Sequence, residues 1–248
     1  MTTKDLTKVE RRVAKNYYEK GDMKYDLQNI DIKFIREIME RTAYHESGHF
    51  AARVFTRLEL YFVQSISIIP DERNMGYMRY ECLTENILDI HPFKKQNGYM
   101  LLLEMFAGYG AQMIHEKAKY NNLLEYLSEE QDEEWEDYSD DERLDIHRAR
   151  RIASIMSKPH WSKDRIIFQA AKWTMEMLSI PSVWNTVEAT AKILLSKGEV
   201  TLSNREISKI AYDSNVPYIL KIPKWEKRIS EISKKNKKKS IKILNPYG

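Results

Sequence analysis

Two histidines four positions apart, with a glutamate beside the first, form an HExxH pattern at His45-Glu46-Ser47-Gly48-His49. On an α-helix, positions i and i+4 project from one face about a turn apart, so both imidazoles can reach a single cation. Imidazole binds zinc at about 2.0–2.1 Å, and a catalytic zinc keeps three protein ligands and one open position for water. Zinc lowers the pKa of that water and polarises a carbonyl; a carboxylate at Glu46 can take the proton and pass it to a leaving amine. The spacing therefore suggests metal-assisted peptide hydrolysis, with His45 and His49 as ligands and Glu46 as catalytic base. Two histidines on a solvated helix would spell the same string. Gly48 argues against that, because mid-helix glycine costs about 1 kcal/mol relative to alanine and makes sense where another element approaches closely.

Spacing does not choose the third ligand. His91, His115, His147 and His160 remain, along with many carboxylates, and no histidine follows the motif at the metzincin distance. The sequence around the motif has to position whatever completes the site. A helical pattern runs from about Asp31 to Leu58, with Ile32, Ile35, Ile38 and Met39 at helical spacing, and it contains the motif. Before it, residues 4–20 read as a helix with Leu6, Val9, Val13 and Tyr17 on one stripe, ended by Gly21. After it, Tyr61–Ile69 alternates as a strand, with Val63, Ser65, Ser67 and Ile69 on one face. A turn follows at 70–74, and Gly76–Cys82 reads as the second strand of a hairpin.

Helical periodicity then runs from about Gln96 to Leu127, and a further helix begins near Glu142. Two more are expected at 162–179 and 183–197, separated by Pro181 and closed by Gly198. A short one at 204–212 is capped by Ser203. The expected fold is mainly α, a helical domain with a small β-hairpin beside the HExxH helix.

Composition bounds the classes. With 42% hydrophobic and 31% charged residues the chain is an ordinary globular one, and 8 glycines with 7 prolines over 248 residues favour helices over many strands. The single cysteine, Cys82, excludes an internal disulfide and a cysteine-based zinc cluster. Met1 precedes a charged segment without an apolar core, and no run of about 18 apolar residues occurs, so a cytoplasmic protein with no membrane contact is expected. The net charge of +3 hides an acidic block at 129–142, read as an exposed loop, and a basic one at 234–242. Both fit solvated segments; the basic tail could also contact nucleic acid or an acidic partner.

The segment Thr42-Ala43-Tyr44-His45-Glu46-Ser47-Gly48-His49-Phe50-Ala51 resembles the TAYHEAGHA signature of the FtsH-type zinc metallopeptidase domain. Further stretches resemble that family in the same order. Ser67-Ile68-Ile69-Pro70 with Met75-Gly76-Tyr77-Met78 is similar to its TIIPRG…LGYT hairpin. Residues 103–114 (LEMFAGYGAQMI) are similar to its LLAGRAAEEIV helix, 144–153 (LDIHRARRIA) to NDLxxATxIA, and 187–210 to the close of the domain. The resemblance covers roughly residues 40–212. It implies Asp145 as third zinc ligand, a peptide platform along Gly76, Tyr77 and Met78, and a zinc endopeptidase acting on flexible or unfolded protein segments. His147 points about 200° around the helix from Asp145.

Departures accompany the resemblance. The family joins this domain to a membrane segment and an ATPase, but no GxxxxGK[ST] loop or membrane span occurs here, so cleavage would not depend on ATP by this chain alone. A homo-oligomeric ring or a separate ATPase partner would fit the family's habit. Gln112 and Tyr109 stand where the family carries glutamate and arginine. These losses of charge leave a second expectation open: a catalytically degenerate relative that binds a protein or nucleic acid. The implied organisation is an N-terminal helical extension (1–30), the peptidase-like domain (31–215) and a basic tail (216–248).

Overall fold

The computed structural model describes residues 6–20, 30–56, 61–70, 75–82, 95–118, 123–130, 145–159 and 162–201. Within them the chain forms seven helices and three short strands. Helix α1 (Lys8–Lys20) opens with a reciprocal cap. The Thr7 N–H donates to Glu10 Oε2 at 2.6 Å and the Glu10 N–H to Thr7 Oγ1 at 3.1 Å. Helix α2 (Ile32–Thr56) is capped by Asp31, whose Oδ1 accepts from the Lys33 and Phe34 N–H groups.

Helix α2 is the organising element, because its two halves lie in different surroundings. Up to Arg41 only every third or fourth residue is buried, as on a surface helix; from Thr42 onward nearly all are. Ile35, Met39, Ala43 and Phe50 join one apolar cluster with Val13, Ala14, Val63, Ile66 and Leu194. Ala51, Ala52 and Phe55 join a second, larger one built around α3 (Lys95–His115). The helices α4 (Leu123–Glu130), α5 (Asp145–Met156) and α6 (Lys163–Leu178) complete that second cluster, and α7 (Pro181–Lys197) contributes to both. Helix α1 shares the first cluster with α2 and so packs into the common core.

The expected hairpin is present as β1 (Tyr61–Ser67) paired antiparallel with β2 (Tyr77–Cys82). A third strand, β3 (Glu199–Thr201), joins the other side of β1, giving the order β2-β1-β3. Three residues are too few to show alternation in sequence, and their pairing is long-range. Strict alternation along β1 also fails, since a bulge between Val63 and Ser65 turns Val63 to the face of Ile66 and Met78 and into the core.

The continuous helical pattern expected over 96–127 is broken. α3 stops at His115, Lys117 adopts φ 52°, and the Ala118 and Lys117 N–H groups bond back to the Met113 and Ile114 carbonyls. This is a left-handed helix stop without the glycine that would have marked it. Pro181, expected between helices, is instead the first residue of α7, where its missing N–H is no loss. Gly198 ends α7 at φ 78°. Ser203, the 204–212 helix, the 216–248 tail and the acidic block beyond Glu130 lie outside the described residues. No described helix is long and apolar enough to cross a membrane.

Candidate metal centre

The i, i+4 geometry of α2 puts the two motif imidazoles side by side, their Nε2 atoms 3.0 Å apart. Asp145, the first residue of α5, reaches them from the opposite wall. Its Oδ2 lies 2.8 Å from His49 Nε2 and 3.6 Å from His45 Nε2. Donor atoms around a tetrahedral ion at 2.0–2.1 Å are separated by about 3.3 Å, so these spacings match a shared cation. Among the described residues, this trio is the one group of three such side chains whose donor atoms converge. His115 instead stacks on Tyr44, with ring centroids 3.6 Å apart, and pairs with Glu40, while His147 stays out of the group. His91 and His160 lie outside the described residues.

The space between these donors is kept open by α3. A methyl group built at Gly108 would lie 2.5 Å from His49 Nε2 and 2.7 Å from His45 Nε2, so any larger residue would fill the volume in which an ion fits. The close approach that Gly48 suggested is also present: a methyl there would collide with the Ala107 carbonyl and sit 2.8 Å from Ala111 Cβ. Small residues on both helices let α2 and α3 touch backbone to side chain, which brings Gly108 onto the histidines.

The outer nitrogens of the imidazoles are also held. His49 Nδ1 donates to the Glu104 carbonyl at 2.8 Å, leaving Nε2 to face the site. His45 Nδ1 lies 3.2 Å from the Gln112 amide. With its oxygen toward His45, Gln112 accepts the Nδ1 proton and donates through Nε2 to Tyr126 (2.7 Å), whose hydroxyl donates to Glu116 (3.0 Å). With the amide reversed, its oxygen accepts from Arg41 and Tyr126 and its NH2 faces His45. The orientation of one amide is thus coupled to the tautomer of His45. Tyr109 sets its ring edge-on to His45 at 4.7 Å. Tyr109 and Gln112 of α3 therefore both lie on the same imidazole.

Electrostatics favour a cation. Glu104 meets the buried Arg53 guanidinium, whereas Glu46 and Asp145 have the two motif histidines as their positive neighbours. Burial pushes the Glu46 carboxyl up, opposed in part by the two histidines, and pushes Glu104 up, opposed in part by Arg53. Burial works against charge on Asp145 as well, but His49 and His45 outweigh it and hold that carboxyl well below the usual carboxylate range. Burial likewise opposes charge on His49, yet the Asp145 carboxylate drives its pKa up to about 9. A proton on His49 Nε2 thus occupies the ground a metal ion would take.

Gly76 stands against Thr42 and Glu46, where a methyl would lie 3.0 Å from Glu46 Oε1. It leads into β2, an edge strand within the described sheet. Met78 packs on the first apolar cluster and the Tyr77 hydroxyl donates to Glu199 at 3.1 Å, so what this strand offers beside the site is chiefly backbone. Arg53, Glu104 and Gly108 carry no sequence signature of their own. The only signal is the cluster of small residues Ala107, Gly108, Gly110 and Ala111, which marks close helix packing without saying against what. Compared with family models and with curated proteins, the chain matches none.

Proposed function

We propose that this chain is a zinc-dependent endopeptidase of the FtsH type, with His45, His49 and Asp145 as ligands and Glu46 as base. The observation that carries this is the convergence of the Asp145 carboxylate on both motif histidines, with Glu46 buried beside them. Two imidazoles and a carboxylate around a space closed to a methyl group suit a borderline ion that keeps one position open. When bound, zinc would lower the pKa of a water at that position and polarise the scissile carbonyl.

The chain's own groups supply the rest. Glu46 takes a proton from the hydrolytic water while the water oxygen bonds to the carbonyl carbon. As the C–N bond breaks, the same carboxyl delivers that proton to the amine nitrogen. Its buried setting raises its proton affinity, which suits a group that must hold a proton between the two transfers. An extended peptide adding to the edge of β2 near Gly76 would lie beside Glu46 and bind through main-chain hydrogen bonds with little sequence demand. Flexible or unfolded segments can adopt that extended form without a motor.

The test is zinc content together with cleavage of a dye-labelled unfolded protein. Glu46→Gln is expected to keep stoichiometric zinc and lose about 10²–10⁴-fold in rate; an unchanged rate would overturn the assignment. The reversed orientation of the Gln112 amide favours a second reading, a non-catalytic binding domain, because it leaves the His45 proton on Nε2. A protein that takes up no zinc at saturating concentrations would be that domain.

A further inference from the structure

His49 and Arg53 lie one turn apart on α2, and Glu104 and Gly108 one turn apart on α3. Glu104 joins the two helices twice. Its carbonyl accepts the His49 Nδ1 proton at 2.8 Å, and its carboxylate accepts from Arg53 Nη2. The Arg53 and Glu104 side chains are 7% and 0% exposed. Glu104 Oε2 is buried with no hydrogen-bond partner among the described residues.

Such a pair is a poor device for stability. Desolvating both charges offsets most of their attraction, and apolar replacements of similar volume are often neutral or stabilising. An orphaned carboxylate oxygen adds to the cost. What the pair does supply is register. Sliding α3 along α2 by one residue, about 1.5 Å of rise, would separate the carboxylate from the guanidinium. The same slide would take the Glu104 carbonyl off His49 and carry Gly108 away from the two Nε2 atoms.

We infer that Arg53 and Glu104 are positioning residues for the metal centre, their buried ion pair locking α3 on α2 so that His49 keeps its proton on Nδ1 and presents Nε2 to the ion. This rests on the metal-site reading above, and the test separates the two.

The variant is the double replacement Arg53→Met/Glu104→Leu, which fills the same volume without charge. It is expected to melt at or above the wild-type temperature, yet to bind zinc about 10–100-fold more weakly in chelator competition. In the metal-free protein, the hydrogen-bonded His49 Nδ1 proton seen by ¹H–¹⁵N NMR is expected to be lost. Wild-type zinc affinity with an unchanged His49 signal would overturn the inference. So would a loss of stability with that signal intact, which marks a purely structural pair. Should the double variant not fold, Arg53→Lys keeps the charge but not the guanidinium fork; an unaltered His49 signal and zinc affinity there would overturn the inference equally. If the wild type binds no zinc, the metal reading falls, while the His49 signal still decides whether the pair holds the imidazole.

Discussion

Among the arginine–glutamate pairs that tie α2 to its neighbours, the two toward its ends differ in their surroundings. Toward the N-terminal end, Arg36 Nε donates to Glu10 Oε1 of α1 at 2.6 Å, with the arginine side chain 41% exposed. Toward the C-terminal end, Arg53 meets Glu104 of α3 out of contact with water. The first pair joins a helix whose apolar stripe, Val13 and Ala14 included, already docks it on α2, so the charges add to a contact made by burial. The second lies one turn from His49 of the candidate metal centre, where a displacement of an ångström changes what the donor atoms can hold. Strength and placement are separate contributions. The half-exposed pair offers a little of the first, and the buried pair chiefly the second.

The comparison breaks most sharply at the buried end. Gly108→Ala puts a methyl group against both imidazole Nε2 atoms, and zinc affinity is expected to fall about 10–100-fold with helix content unchanged by circular dichroism. Retained affinity would mean that α3 can retreat without harm, and that register is not critical there. Gly48→Ala attacks the same interface from α2. The new methyl meets the Ala107 carbonyl, and overpacking of this kind costs about 1–3 kcal/mol, more than the helix propensity of up to about 1 kcal/mol that alanine brings. Urea unfolding measures it, and a stabilised variant would contradict the tight approach.

The exposed end gives the smallest effect. Burial alone would raise the Glu10 carboxyl, but hydrogen bonds from Arg36 and Thr7 outweigh it and hold its pKa below the ordinary value. A depressed pKa means that the stabilisation is complete above the unfolded carboxylate value of about 4.3. It is lost as pH falls through the lower folded value. Glu10→Gln is therefore expected to cost less than about 1 kcal/mol at pH 7, since solvent screens the half-exposed Arg36. Denaturant midpoints should converge with wild type on acidification. A difference that stayed constant on acidification through the carboxylate range would assign the effect to packing.

Much of the fold is legible because it is local. The helical periods of α2, α6 and α7, the hairpin of β1 with β2, and the stop at Gly198 each follow from a few adjacent residues. The misses follow the same logic in reverse. The stop at Lys117 uses a residue that does not advertise a left-handed turn, and the bulge after Val63 shifts a strand by one position. β3 exists only because β1 offers it an edge.

The candidate site divides along the same line. HExxH on a helix determines by itself that His45 and His49 share a face with Glu46 between them, because 3.6 residues per turn is a property of the backbone. Resemblance pointed to Asp145, but no spacing rule carries residue 145 to within 2.8 Å of His49; folding α5 against α3 does that. Tertiary structure alone put Gly108 over the two imidazoles, Gln112 and Tyr109 on His45, and Glu104 between His49 and Arg53. The physical reason is that two of the three donors are set by one helix, whereas the third, the cavity and its charge balance belong to the packing of three.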